Sequence, residues 1–261
     1  MTTVRKIKDV IASVTPSFVF SAMKIYQKKK VQAEYGKKKG TARKCNFCEN
    51  EYSVFAPYNN RPDRMCPNCF SLERHRMLLA YLRNHTELFH RPMNILHFAA
   101  EKCIHDIITQ NTDATYETAD LMIQFLPTLE VKPKHKMSIT DIKFKDNTFD
   151  LFLCNHVLEH VPDDNLAMRE IYRVLKPGGK ALLMVPINEG ATQTQEDLTF
   201  DRHQRRKYYG SQHHLRFYAA DDFADRLENC GFSVTQWKTE DELDTVKYSL
   251  LPDEILFVCK K

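Results

Sequence analysis

The chain has 261 residues, 43% of them hydrophobic and 28% charged, enough apolar material for one large domain with a small accessory module and too much for a disordered or fibrous chain. Its longest uncharged stretch, Val10–Met23, is 14 residues and contains Pro16, short of the ~20 apolar residues of a spanning helix, so no segment is expected to cross a membrane. The net charge of +4 is unevenly spread: residues 1–44 carry 12 Lys and Arg against Asp9 and Glu34, which leaves 26 basic and 32 acidic residues in the body. Such an arm fits an anionic surface, lipid or nucleic acid, or serves as a solubilising tail; the body is not a general polyanion binder. The basic N-terminus lacks an apolar core followed by a small-residue cleavage site, so a cytoplasmic setting is expected.

Along the arm, Val4, Ile7, Val10, Ile11 and Val14 recur at helical spacing, and Thr15-Pro16 reads as the cap and first turn of a second helix through Phe18, Met23 and Tyr26. That helix runs into Lys28–Lys30 and Lys37–Lys39. A basic amphipathic arm of this kind lies in a membrane interface, docks on a partner or packs on its own protein. From residue 45 cysteines and turn formers take over, followed by a helical pattern through Leu72, His75, Leu78, Leu79 and Leu82. Beyond it, Asn94–Ala100, Thr115–Asp120, Phe149–Cys154, Lys180–Val185, Phe232–Trp237 and Glu254–Cys259 read as strands. Cys103–Gln110, Asn165–Leu175 and Ala220–Cys230 read as helices between them. This rhythm predicts an α/β, doubly wound, mostly parallel sheet with ligands at the carboxyl ends of its strands.

Cys45-x-x-Cys48, then 17 residues, then Cys66-x-x-Cys69 is the spacing of two thiolate turns closing on one tetrahedral zinc. Four soft ligands leave no open position, so the metal is expected to be structural. Two disulfides are the alternative, disfavoured in a cytoplasmic setting. Cys103, Cys154, Cys230 and Cys259 stand singly in helix or strand patterns and read as buried thiols.

His156-x-x-Glu159-His160 spells the H-x-x-E-H of the inverted zinc peptidases, with two histidines as ligands and Glu159 as base. It follows a strand directly, Pro162-Asp163-Asp164 starts a new helix, and no distal third ligand stands out. The whole run, from the Phe149-Asp150 strand start through the turn His156–His160, the helix with Met168, Glu170 and Arg173, Val174–Gly179 and the following strand, resembles instead the second half of a class I S-adenosylmethionine-dependent methyltransferase. The resemblance covers some 50 residues in order and extends more weakly over about 45–259. The cysteines followed by Ser71–Arg76 are similar to a branch of these enzymes that carries a zinc-ribbon-like module.

The resemblance implies a seven-stranded Rossmann-like methyltransferase domain over 71–261, with a four-cysteine zinc module over 45–70, the helical arm over 1–44 and a substrate lid over 186–219. It implies S-adenosylmethionine as cofactor beside structural zinc. The family's glycine-rich first motif is replaced by Ile95–Glu101, where His97 takes the acidic place and Ala99 and Ala100 replace glycines, so a non-catalytic scaffold stays open as an alternative. His97, Ala99 and Glu101 are expected around the methionine part, Asp120 and Leu121 at the ribose, Ser138 and Ile139 at the adenine, and Asn155 beside the cofactor. His156 or His214 is expected to act as general base, neither with a carboxylate partner visible in the sequence. Within the lid, Glu196, Asp197, Arg206, Tyr209, His213 and Arg216 are the expected substrate contacts.

Three acceptors compete. A sugar hydroxyl of a cell-surface glycan or its lipid-linked precursor, placing the protein in polysaccharide biosynthesis at the inner membrane face, fits the arm over 1–40 and the histidine-rich lid. A tRNA or rRNA base fits the zinc module and lysine runs but not the acidic body. Nothing specific favours a small molecule.

Overall fold

A computed structural model of the chain describes residues 17–59, 61–121, 130–240 and 242–261. The expected helix over Val4–Val14 and its Thr15-Pro16 successor lie outside these residues. Helix α1 spans Ser17–Tyr35 and continues through the lysine triplet, because Lys, Gln, Ala and Glu all sustain a helix. It leaves Met23, Ile25 and Tyr26 at least half exposed. Among the described residues no helix is long and apolar enough to cross a membrane.

The cysteine segment folds as two small antiparallel ribbons, β1 (Lys39–Lys44) with β2 (Glu51–Tyr52) and β3 (Ala56–Tyr58) with β4 (Arg61–Met65). Their shared core is Cys45, Tyr52, Phe55 and Cys66, too few side chains to offset the entropy of ordering the segment. The remaining elements are α2 (Glu73–His85), β5 (Asn94–Phe98), α3 (Lys102–Asn111), β6 (Thr115–Asp120), β7 (His135–Lys136), β8 (Phe149–Asn155), α4 (Asp164–Val174), β9 (Leu175–Met184), β10 (Gln195–Glu196), α5 (Arg202–Tyr209), β11 (Arg216–Phe217), α6 (Ala220–Glu228), β12 (Ser233–Trp237) and β13 (Leu256–Lys260).

Seven strands form one sheet in the order β12-β13-β9-β8-β5-β6-β7. β9, β8, β5, β6 and β7 are parallel, and β13 runs antiparallel to both neighbours. The period of two divides each strand between the faces. Leu96, Phe98, Phe152, Cys154, Leu183 and Phe257 pack with α4 and α6, whereas Ile95, Leu151, Leu153, Leu182, Met184 and Leu256 pack with α2 and α3. The doubly wound expectation therefore holds.

Boundary differences have local causes. β9 begins at Leu175 rather than Lys180 because Leu175 already pairs with Phe149, and Lys176–Gly179 bulge out before the ladder resumes at Leu151 and Lys180. Gly179 permits it: a Cβ there would sit 2.9 Å from the Lys176 carbonyl oxygen and 3.1 Å from that of Phe149. The region expected as a substrate lid contains α5, whose Asp201 accepts from the amides of His203 and Gln204 while the Gln204 side chain accepts from the Asp201 amide. β7, two residues long, shows no alternation to read.

Candidate functional site

The two Cys-x-x-Cys pairs close the same turn twice. Glu49 N–H donates to the Cys45 carbonyl at 2.8 Å and Cys45 N–H to the Asn50 carbonyl at 3.1 Å; Phe70 and Cys66 repeat the pair toward the carbonyls of Cys66 and Ser71, both at 3.0 Å. Glu49 and Phe70 take left-handed φ of 55° and 61°, which curls each turn so that both its sulfurs face one point. All four sulfurs lie within 4.8 Å of one another, with Cys45–Cys69 at 3.5 Å and Cys48–Cys66 at 3.6 Å. Those spacings are far longer than the ~2 Å of a disulfide and near the ~3.8 Å edge of a tetrahedron with ~2.3 Å metal–sulfur bonds. The Ser71 hydroxyl lies 3.2 Å from the sulfurs of Cys45 and Cys69. Arg76, fully buried over the Phe55 ring, donates to the carbonyls of Arg64, Ser71, Tyr248 and Ser249, so it ties the module to the body and sets a positive charge beside the sulfurs.

The second concentration of polar groups lies where the sheet's winding reverses, at the carboxyl ends of β5 and β8. Ala99, at the expected glycine position, takes a glycine-like φ of 51°. Glu101 follows at the start of α3 and gathers three partners. His97 Nε2 donates to its Oε2 at 3.0 Å, Asn155 Nδ2 to its Oε1 at 3.1 Å, and His75 Nε2 stands 3.7 Å away. Burial alone would raise its carboxyl, but the His97 hydrogen bond and the His75 ring take it down to about 2, so the group is an anion. Burial in turn takes His75 down to about 4, so that ring is neutral near pH 7 and bears its charge on Glu101 only in the acid range.

Here the structure corrects one expectation. His97 is fully buried, and its other nitrogen meets the Tyr116 hydroxyl at 2.8 Å, so it orients Glu101 and is not open to a ligand. His75 and Tyr116 are additions that sequence reasoning missed, since nothing local marks them as neighbours of Glu101 and His97. Glu101, Ala100, His75 and Arg74 line one end of a cleft of about 1220 Å³ that runs under α1 to Lys28 and Tyr35.

Asp120 ends β6 half-buried and is followed by exposed Leu121, both at the carboxyl edge of the sheet as expected. The adenine pair is placed differently. The Ser138 hydroxyl caps its own turn, 2.7 Å from the Thr140 hydroxyl and accepting the Thr140 amide at 3.2 Å, and Ile139 is buried in the core.

The lid expectations divide in the same way. Arg216 is not a surface contact: 1% exposed, it donates to the carbonyls of Leu158, Val161 and Pro162 and pairs with Glu196, clamping the turn after β8. Tyr209 is buried against Phe200, and Asp197 binds the amide and hydroxyl of Thr199. Arg206 and His213 border an open depression of about 390 Å³.

The clamped turn is not a helix with two histidines on one face, as the peptidase arrangement requires. His156 sits at a left-handed φ of 53°, and Leu158–His160 form one 3-10 turn. Glu159 is 1% exposed and neither of its oxygens has a hydrogen bond. Around its Oε1 stand His156 Nδ1 at 3.5 Å, His160 Nε2 at 3.7 Å and His214 Nε2 at 4.0 Å. Both expected bases therefore do face a carboxylate, and a distal histidine, His214, does arrive. Burial holds His214 below its usual value.

Residues 109–183 match the family model of a methyltransferase domain. An uncharacterized protein of Methanocaldococcus jannaschii is 41% identical over 78 residues, 30% of this chain and 34% of that one. Phosphoethanolamine N-methyltransferase 2 of Caenorhabditis elegans is 43% identical over 51 residues, 18% of this chain and 12% of that one. The chain thus spans about a third or less of the length of these two relatives. Among solved structures, an S-adenosylmethionine-dependent methyltransferase of Mesorhizobium loti superposes with a TM-score of 0.51 at 13% identity, over 70% of this chain and 96% of that one. The chain accordingly carries a methyltransferase-domain match over residues 109–183, inside a sheet with the Rossmann-like fold of such enzymes.

Proposed function

We propose that the protein is an S-adenosylmethionine-dependent methyltransferase whose cofactor lies across the carboxyl ends of β5, β6 and β8. The observation that carries this reading is the ionised Glu101 at the winding reversal, held by His97 and Asn155 inside a segment-matched methyltransferase fold. An anion fixed there complements the ammonium and sulfonium charges of such a cofactor. Ala99 and Ala100 let the backbone approach, and Asp120 accepts from the ribose hydroxyls. The cofactor supplies an electrophilic methyl group; the chain's own residues align donor and acceptor and exclude water. His156 takes the proton of a hydroxyl acceptor, and the four cysteines hold structural zinc, for which their spacing and donor set are suited.

For the acceptor we propose a sugar hydroxyl on a glycan or its lipid-linked precursor, presented at an anionic membrane face. The exposed Met23, Ile25 and Tyr26 beside a lysine-rich helix surface support this, together with the polar, histidine-lined end of β8. Incubation with labelled S-adenosylmethionine and separate glycan, glycolipid and RNA fractions tests it. Label in the glycan or glycolipid fraction is expected, and deletion of residues 1–40 should release the protein from anionic vesicles while sparing transfer to a soluble sugar. Label in RNA, with a steep salt dependence lost on the same deletion, points to the nucleic-acid reading.

A further inference from the structure

Glu159 poses a problem in the turn after β8. Burying an unpaired carboxylate costs several kcal/mol, yet both its oxygens lack a hydrogen-bond donor. Among the described residues its ion-pair partners are imidazole nitrogens at 3.5–4.0 Å, at or beyond the limit of a hydrogen bond.

The outer nitrogens of two of these rings explain the arrangement. His160 Nδ1 donates to the His213 carbonyl at 3.0 Å, and His214 Nδ1 donates to the Tyr209 carbonyl at 2.9 Å. A carbonyl only accepts, so in each ring the proton is on Nδ1, and in the neutral ring Nε2 presents a lone pair. Two lone pairs and a carboxylate oxygen then converge within 4.8 Å with no proton between them. Such a set is repulsive unless a positive charge, a proton on one Nε2 or a shared metal ion, sits at its centre. Ligands sharing one ion with ~2.1 Å bonds stand ~3.0–3.5 Å apart, slightly closer than the 3.7 and 4.0 Å from Glu159 Oε1 to the two histidines. Backbone carbonyls that fix the outer nitrogen are also the usual support of metal-bound histidine.

We propose that Glu159, His160 and His214 form a second metal site, for a divalent first-row ion such as zinc or iron(II), distinct in place and ligand type from the four cysteines. Two neutral imidazoles and one carboxylate suit these ions and leave coordination positions free. His160 is 39% exposed at its side chain and Glu159 only 1%, so the open side faces solvent at the carboxyl end of β8. On the methyltransferase reading, to which this last step alone is tied, the open side receives the acceptor hydroxyl and fixes it beside His156.

Metal stoichiometry tests the site without turnover. Full-length apoprotein is titrated with Co(II), following the sulfur-to-metal charge-transfer band of the cysteine site and the total bound metal by elemental analysis. Two equivalents are expected, only one of them carrying the sulfur band. His160→Ala with His214→Ala should keep the sulfur band and weaken the second equivalent by more than the roughly 10–100-fold that loss of one supporting hydrogen bond costs. His156→Ala should keep both equivalents. One equivalent in the wild type at saturating Co(II), or a second that survives the double substitution with unchanged affinity, overturns the proposal. S-adenosylhomocysteine binding by the double variant reports separately on the cofactor site, so failure of the methyltransferase reading and failure of the metal site give different results.

Discussion

Among the described residues, two clusters of side chains that could hold a metal ion converge, and they are built in opposite ways. The four cysteines come from two copies of one local turn, each defined by its own amide hydrogen bonds and one left-handed residue. Glu159, His160 and His214 come together across some 54 residues, because Arg216 staples the 158–162 turn to the strand that follows His214. The first is closed on itself; the second is open on one side and lies beside the sheet's winding reversal. A closed site can thus be written in local spacing, whereas an open one depends on tertiary positioning.

The largest effect is expected in the closed cluster. Cys66→Ser removes one of four ligands from a segment with almost no apolar core, and structural zinc supplies ~10 kcal/mol or more in such modules. Elemental analysis should show loss of zinc, and proteolysis should cut within 45–70 while the sheet stays protected. A variant that keeps both zinc and protection would show that the module folds by other means. Next comes the staple. Arg216→Met takes one donor from each of the carbonyls of Leu158, Val161 and Pro162 and from the Glu196 carboxylate, and leaves Leu158 its bonds from Val161 and Tyr218 and Glu196 its bond from Arg226, at a cost of about 3 kcal/mol in denaturant unfolding. A loss under about 1 kcal/mol would mean that the turn holds its shape unaided.

What the sequence alone reveals follows the same division. The strands Asn94, Thr115 and Phe149 begin where their apolar runs begin, and the Cys-x-x-Cys pairs point to the four-sulfur cluster, because both signals are short-range. Glu101 is readable as a departure from a glycine-rich loop. Its partner His75, and Tyr116 behind its partner His97, are not, since α2 and β6 reach the site only through the packed sheet. Arg216 and Tyr209 look like substrate contacts because exposed polar loops usually carry them, yet their side chains turn inward and satisfy buried partners. His156-x-x-Glu159-His160 is visible as a motif, but its third histidine, His214, comes from the segment between α5 and β11 rather than from a helix.

Titration sharpens the contrast at the winding reversal. His75 sits at about 4 when folded against 6.5 ordinarily, so as pH falls the unfolded chain takes the proton first. Its contribution is complete above pH 6.5 and is lost between 6.5 and 4, up to about 3 kcal/mol. Glu101, at about 2 against 4.5, acts in the same direction over the lower window from 4.5 to 2. His75→Gln retains an acceptor for the Leu72 amide and should flatten the upper window in pH-dependent chemical unfolding. An unchanged slope there would assign the loss to other groups. The smallest effect belongs to Ala99, whose left-handed φ of 51° stores about 1 kcal/mol. Ala99→Gly should raise Tm slightly without weakening cofactor binding; a drop in Tm would show that its methyl group packs more than it strains.

The placement of the cofactor is open to calorimetric titration of zinc-replete, folded protein with S-adenosylhomocysteine, in the wild type and in Asp120→Ala. Micromolar binding by the wild type is predicted, with a loss of about tenfold or more when the ribose acceptor is removed. No binding to the folded wild type, or equal affinity in the two proteins, would contradict a cofactor lying across β5, β6 and β8.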